Sequence, residues 1–296
     1  MINLYGSIGY TYLESINNQN PRNILLLSDM HSQLSYCSDS IKISDWFMNK
    51  LDSNNILLEE VPREDVKLKE LFSEAEHTQD LKNMYLNNSD IIHALDIRPF
   101  LIPFSWELIE LSLRGGGLEN SQEQDINLLK YLNLIEDFYN FKHDKVSKYL
   151  GEIYNQDYIK NNKYLGSHMQ VIYNGYLEYK KNNSRFLNQE ILELYNNNKH
   201  VLEEINNLLD NIMEYFTIAK IYKLKDNKKN ILIHAGLAHT EKILFWLVKL
   251  YEYKIISNKG VNNLQELDNV KITNGCLKLP TIIDNHLSTI NYKNLN

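Results

Sequence analysis

Two cysteines, Cys37 and Cys276, are too few for a zinc finger or a disulfide framework. Read from the sequence, they are reduced thiols in a cytoplasmic protein. Cys37 could act as a nucleophile with His31 nearby, but a lone cysteine is more often a small buried hydrophobe. No apolar run nears the ~18 residues of a membrane span. Met1 to Tyr12 lacks the charged-then-apolar order of a signal peptide. No basic run is long enough to track phosphates, and the net charge is −7, so nucleic acid is a disfavoured partner. Only 11 glycines and 5 prolines punctuate 296 residues, and no repeat of fixed period shows. Asn, Ile, Lys and Tyr are abundant instead, the codon bias of an AT-rich genome. At 43% the hydrophobic residues suffice for a core, in one large domain or two modest ones.

The chain is organised around Ile24-Leu25-Leu26-Leu27-Ser28-Asp29-Met30-His31. A short aliphatic run closed by polar residues reads as a buried central strand. Ile56-Leu57-Leu58-Glu59-Glu60-Val61-Pro62-Arg63 and Ile91-Ile92-His93-Ala94-Leu95-Asp96-Ile97-Arg98-Pro99-Phe100 read as second and third strands, each meeting charge at its C-terminal end. Helices are expected at about 39–51 and 63–86, giving βαβ units and a mostly parallel sheet. Residues 1–23 read as mixed, ending in a loop at Asn17–Pro21. Gly115-Gly116-Gly117 reads as a boundary. From 118 to 224 no strand stands out, and Leu202, Ile205, Leu208, Leu209, Ile212, Met213, Phe216 and Ala219 recur at helical spacing. Asn230-Ile231-Leu232-Ile233-His234-Ala235-Gly236 returns to the sheet, and a helix follows from Thr240. Residues 255–256 and 270–290 offer edge strands. The expected fold is a single α/β domain, with its core at 24–114 and 230–290 and a helical insert at 118–224.

Ligands of open α/β sheets bind at the C-terminal ends of the strands. Asp29 and His31 there are suited to bind a metal or to pair as base and orienter. The bland alternative is a capping aspartate beside a surface histidine. Glu59 and Glu60 point to opposite faces of a strand, so one enters a site, with Glu60 preferred. Asp96 and Arg98 share a face, and Arg98 either clamps an anion or forms a structural ion pair. His239 sits after Gly236 at a strand-to-helix turn, where backbone N–H groups favour an oxyanion. His234, inside its strand, reads first as a core histidine. His77, His93, His143, His168, His200 and His286 have no motif around them.

This order of motifs resembles the erythromycin esterase / ChaN / TraB–Tiki superfamily. The early motif of that group is commonly Gly-Glu-x-His or Gly-Thr-x-His, and here it reads Ser28-Asp29-Met30-His31. The late Gly-x-(Gly or Ala)-His is matched by Gly236-Leu237-Ala238-His239, and the Glu and Arg positions match loosely. The resemblance covers residues 24–100 and 230–250. It implies an α/β core with a helical portion and one polar cleft able to activate water. Esterase-type members open a lactone without metal, Tiki-type members resemble metal-dependent proteases, and ChaN-like members bind haem. The implied protein is a hydrolase of a small-molecule or peptide substrate. Asp29, Glu59 or Glu60 would be its base, His31 and His239 a second base, and Arg98, beside Asp96, a stabiliser of negative charge. In the metal-dependent version His31, Glu59, His234 and His239 would hold Zn, Mn or Fe. Leu27-Ser28-Asp29-Met30-His31 is also similar to the first motif of calcineurin-like metallophosphoesterases, whose later Gly-Asp, Gly-Asn-His and Gly-His-x-His motifs are absent. A non-catalytic protein is a third reading, binding haem or acting through residues 118–224. Substrate identity is not inherited in any of these readings.

Overall fold

The computed structural model describes residues 1–17, 23–51, 55–62, 75–101, 126–144, 146–147, 151–224, 230–269, 272 and 274–287. The chain divides into two compact units, Met1–Glu64 with Phe72–Leu95 and Lys220–Asn296, and Asp65–Leu71 with Asp96–Ala219.

In chain order the elements begin with β1 (Ile2–Tyr5), β2 (Gly9–Ser15), β3 (Asn23–Asp29), β4 (Ser40–Lys42), α1 (Ile43–Lys50), β5 (Asn55–Pro62), α2 (Glu76–Asn87) and β6 (Ile92–Asp96). Then come α3 (Arg98–Leu101), α4 (Leu128–Tyr139), α5 (Gln156–Asn161), α6 (Lys163–Asn182), α7 (Ile191–Asn197) and α8 (Lys199–Leu224). The chain closes with β7 (Asn230–Gly236), α9 (Leu237–Lys249), β8 (Tyr253–Gly260), α10 (Leu264–Asn269), β9 (Cys276–Leu279) and α11 (Thr281–Leu287). The fold is α/β. A six-stranded sheet runs β6-β5-β7-β3-β2-β8, and a small sheet runs β4-β1-β9. β7 lies parallel between β3 and β5, while β2 is antiparallel to both its neighbours.

The three central strands start alike, with Asn-Ile-Leu at 23, 55 and 230. Parallel pairing puts the three asparagines in one row. Asn23 donates to Asn230 Oδ1 at 3.0 Å, and Asn230 donates to Asn55 Oδ1 at 2.7 Å. Asn55 donates to the carbonyls of Lys50 and Leu287. This amide ladder satisfies polar groups that would be costly to bury alone. The aliphatic residues that follow are sealed on both faces, which is why they read as continuous apolar runs. On one face Leu25, Leu27, Leu57 and Leu232 pack with Trp46, Phe47, Leu81 and Leu277.

Several expectations are corrected. β1 and β2 lie in the stretch read as mixed. Tyr10, Thr11, Tyr12 and Leu13 are all buried, so the alternation that marks a half-exposed strand is missing. The helix expected from about 39 begins at Ile43, because Ser40–Lys42 pairs with Asn3–Tyr5 instead. The third strand stops at Asp96 and Arg98 opens a helix, with Pro99 in its first turn where no N–H is needed. Residues 63–74 of the second expected helix, and the glycine boundary at 115–117, lie outside the described residues. The reduced-thiol reading is overturned: Cys37 and Cys276 are joined as a disulfide across 239 residues. Two distant cysteines gave no spacing to read, and the argument for a reducing compartment falls with them.

In the second unit the described residues of 126–219 form helices. The α8 stripe from Leu202 to Ala219 is buried as its spacing required. Asparagines cap α4, α5 and α6, with the side chains of Asn127, Asn155 and Asn162 accepting from first-turn N–H groups. No helix among the described residues is long and apolar enough to cross a membrane.

Candidate active site

At their C-terminal ends the same three strands carry charge. Register places His234 beside both Leu27 and Glu59, and Gly236 beside Asp29. Asp29 is buried. Its Oδ1 accepts from Met30 N–H at 2.7 Å and from His77 Nε2 at 2.9 Å. Its Oδ2 lies 2.9 Å from His31 Nδ1, a close charge contact. The His31 ring is 36% exposed, and its Nε2 is 3.1 Å from Glu60 Oε2. That same oxygen accepts from Gly236 N–H at 2.7 Å, and Glu60 Oε1 lies 3.3 Å from His239 Nε2. Imidazoles and carboxylates therefore alternate along one row: His77, Asp29, His31, Glu60, His239.

A second pair lies beside the row. His234 Nε2 donates to the Gly6 carbonyl at 3.1 Å, and its Nδ1 shares a hydrogen bond of 2.8 Å with Glu59 Oε1. Both residues are almost fully buried. Glu59 Oε2 and His77 Nδ1 are buried with no hydrogen-bond partner among the described residues.

Two glycines make these approaches possible. A Cβ on Gly236 would lie 2.7 Å from His31 Nε2 and 3.3 Å from Glu60 Oε2. A side chain there would push apart the pair that Gly236 N–H helps to hold. Gly6 has φ +108°, and a Cβ on it would lie 2.7 Å from Ile43 and 3.1 Å from His77. The glycine of the late sequence motif thus has a steric reason.

Burial disfavours charge on Asp29, His31, Glu59, Glu60 and His234, and partners decide the outcome. For His31 burial opposes protonation, but Asp29 and Glu60 outweigh it and raise the pKa to about 11. For Asp29 burial is outweighed by His31, His77 and the charge of His234, so its carboxyl sits below the usual range. Glu60 is held well below that range against burial, by His239 first and then His31. Burial wins at Glu59 and raises its pKa despite His234. His234, against burial, is raised to about 9 by Glu59, then Asp29 and the Gly6 carbonyl.

The structure therefore brings together Asp29, His31, Glu59, Glu60, His234 and His239. Glu60 lies in the row against His31 and His239, and Glu59 pairs with His234 beside it. Asp96 and Arg98 belong to the second unit. There Arg98 contacts both oxygens of Asp96, at 2.8 and 3.1 Å, and Asp210 at 2.9 Å. That is the structural ion-pair alternative. His77 was missed. It sits in the first turn of α2, and only the fold brings it to Asp29.

Among the described residues no three His, Cys, Asp or Glu side chains are grouped so as to hold a metal ion. Their donor atoms face one another in pairs. Comparison with protein-family models, curated proteins and solved structures finds no match to this chain.

Proposed function

We propose that the row Asp29–His31–Glu60–His239 is the acid–base centre of a hydrolase of the esterase or lactonase kind, in line with the superfamily that the motifs resemble. One observation carries this reading. A partly exposed imidazole sits between two buried carboxylates at the strand ends, the edge where α/β sheets bind ligands. His31, kept protonated, is the general acid and the positive charge facing a developing oxyanion. Glu60 takes a proton from the attacking water while His31 gives one to the leaving oxygen. The ester C–O bond breaks, and acid and alcohol leave. The proton on Glu60 then crosses the 3.1 Å contact to His31 and resets the pair. Asp29 holds the far side of His31, and Gly236 N–H with His239 holds Glu60.

Two imidazoles and two carboxylates are a donor set that suits Zn, Mn or Fe. A metal bound there would release the protons that now join them in pairs. No step is routed through one.

A panel of esters, lactones, peptides and phosphoesters tests the proposal, with His31→Ala and Glu60→Gln beside the wild type. Ester or lactone turnover that both variants lose supports it. Turnover of only phosphoesters, or wild-type-like turnover by His31→Ala, overturns it.

A further inference from the structure

The segment that carries His31 is fastened from its far side. Residues 30–37 leave β3 as irregular chain, and His31 itself has φ +52°. A non-glycine residue holds that conformation only where its surroundings over-determine it. The surroundings here are specific. Gln33 donates to Tyr5 Oη at 3.0 Å and accepts from Glu76 N–H at 2.9 Å. Tyr5 Oη donates to the Leu34 carbonyl at 2.9 Å, and the Tyr36 ring stacks on Tyr5 with centroids 3.8 Å apart. Gly275 N–H donates to the Ser35 carbonyl at 3.2 Å, and Cys37 is bonded to Cys276, the first residue of β9. The Gly275 carbonyl in turn accepts from Gly6 N–H at 2.9 Å, and the Gly6 carbonyl accepts from His234. The edge of β9 therefore holds Ser35 and Cys37 of the segment that carries His31 on one side, and the Gly6 that His234 contacts on the other. Among the described residues the disulfide is the single covalent fastening of this segment, and the single one that answers to redox.

We propose that the Cys37–Cys276 disulfide is a redox-operated strap that seats the His31 segment when oxidised and releases it when reduced. A dithiol reductant supplies two electrons and two protons. The S–S bond breaks, both cysteines become thiols, and the reductant closes to its own disulfide. Reoxidation reverses each step. The strap regulates the site described above, and rests on the hydrolase reading only for its effect on turnover.

Hydrogen exchange on the full chain tests it, oxidised and after dithiol treatment, with a thiol count confirming reduction. Peptides covering residues 29–37 and 274–279 are expected to exchange at least about tenfold faster once reduced, while the interiors of β3, β5 and β7 stay protected. The double variant Cys37→Ser, Cys276→Ser is expected to show the fast exchange with or without reductant. Unchanged protection at 29–37 after full reduction overturns the proposal. So does equal acceleration in every strand, which would make the bridge a general staple. Local release in a chain that turns over nothing on the panel supports the strap and counts against the hydrolase reading alone.

Discussion

The two ends of β3, β5 and β7 solve one problem in opposite ways. Both bury a row of polar side chains across three parallel strands. At the starting end the row is Asn23, Asn230 and Asn55, in which each amide donates to the next acceptor and nothing titrates. At the finishing end the polar groups are Asp29, Glu59, Glu60 and four histidines, paired carboxylate to imidazole, and among them Asp29, His31, Glu59, Glu60 and His234 have shifted pKa values. Amides would hold the finishing end more safely. In the proposed hydrolase, proton transfer is the use made of these desolvated charges.

Substitutions at each end separate the two roles. The largest effect is expected from His31→Ala, which should cut turnover by about 10²–10⁴-fold. The variant should also lose stability at neutral pH, because Asp29 and Glu60 stay buried without the imidazole between them, so turnover is compared per folded molecule. Next comes Glu59→Ala, which strands His234 in the core and should lose about 3–5 kcal/mol in urea unfolding. Replacing Glu59 and His234 together by leucine should recover most of that loss, because the buried charge goes with its partner. Asn230→Ala breaks the ladder on both sides and should lose about 1–3 kcal/mol, with turnover per folded molecule unchanged. A fall in turnover there would erase the distinction between the ends.

The smallest effect is in the shape of stability against pH. His31 and His234 have folded pKa values raised above 6.5, to about 11 and about 9. Their contribution is therefore full below about pH 6.5 and fades as pH rises, through about 9 for His234 and about 11 for His31. Asp29 and Glu60 are lowered, so theirs is full above the usual carboxylate range and fades as pH falls below it. Asn230→Ala should lower the whole curve evenly. His234→Leu with Glu59→Leu should flatten the alkaline limb near pH 9. Denaturant midpoints across pH check both.

How much of this was legible follows from what each residue depends on. Aliphatic runs and the α8 stripe depend on their own periodicity, so β3, β5, β7 and α8 could be read from the chain. Asp29, His31, Glu60 and His239 could be read as strand-end residues. Ser40–Lys42 took its form from pairing with β1, which overrode local capping signals. His77 reaches Asp29 from a helix with no motif of its own. The asparagines were read as codon bias, yet they cap three helices and pin the register of three strands. Arg98 had the right position for an anion clamp, but Asp96 and Asp210 occupy its guanidinium.

One measurement reaches the central claim without a substrate: the titration of the His31 imidazole, followed by NMR and assigned by its loss in His31→Ala. The His31 ring is expected to be protonated at neutral pH and to release its proton only toward pH 11, with a lower value in Glu60→Gln. A His31 that titrates near the ordinary 6.5 in the folded protein would contradict it.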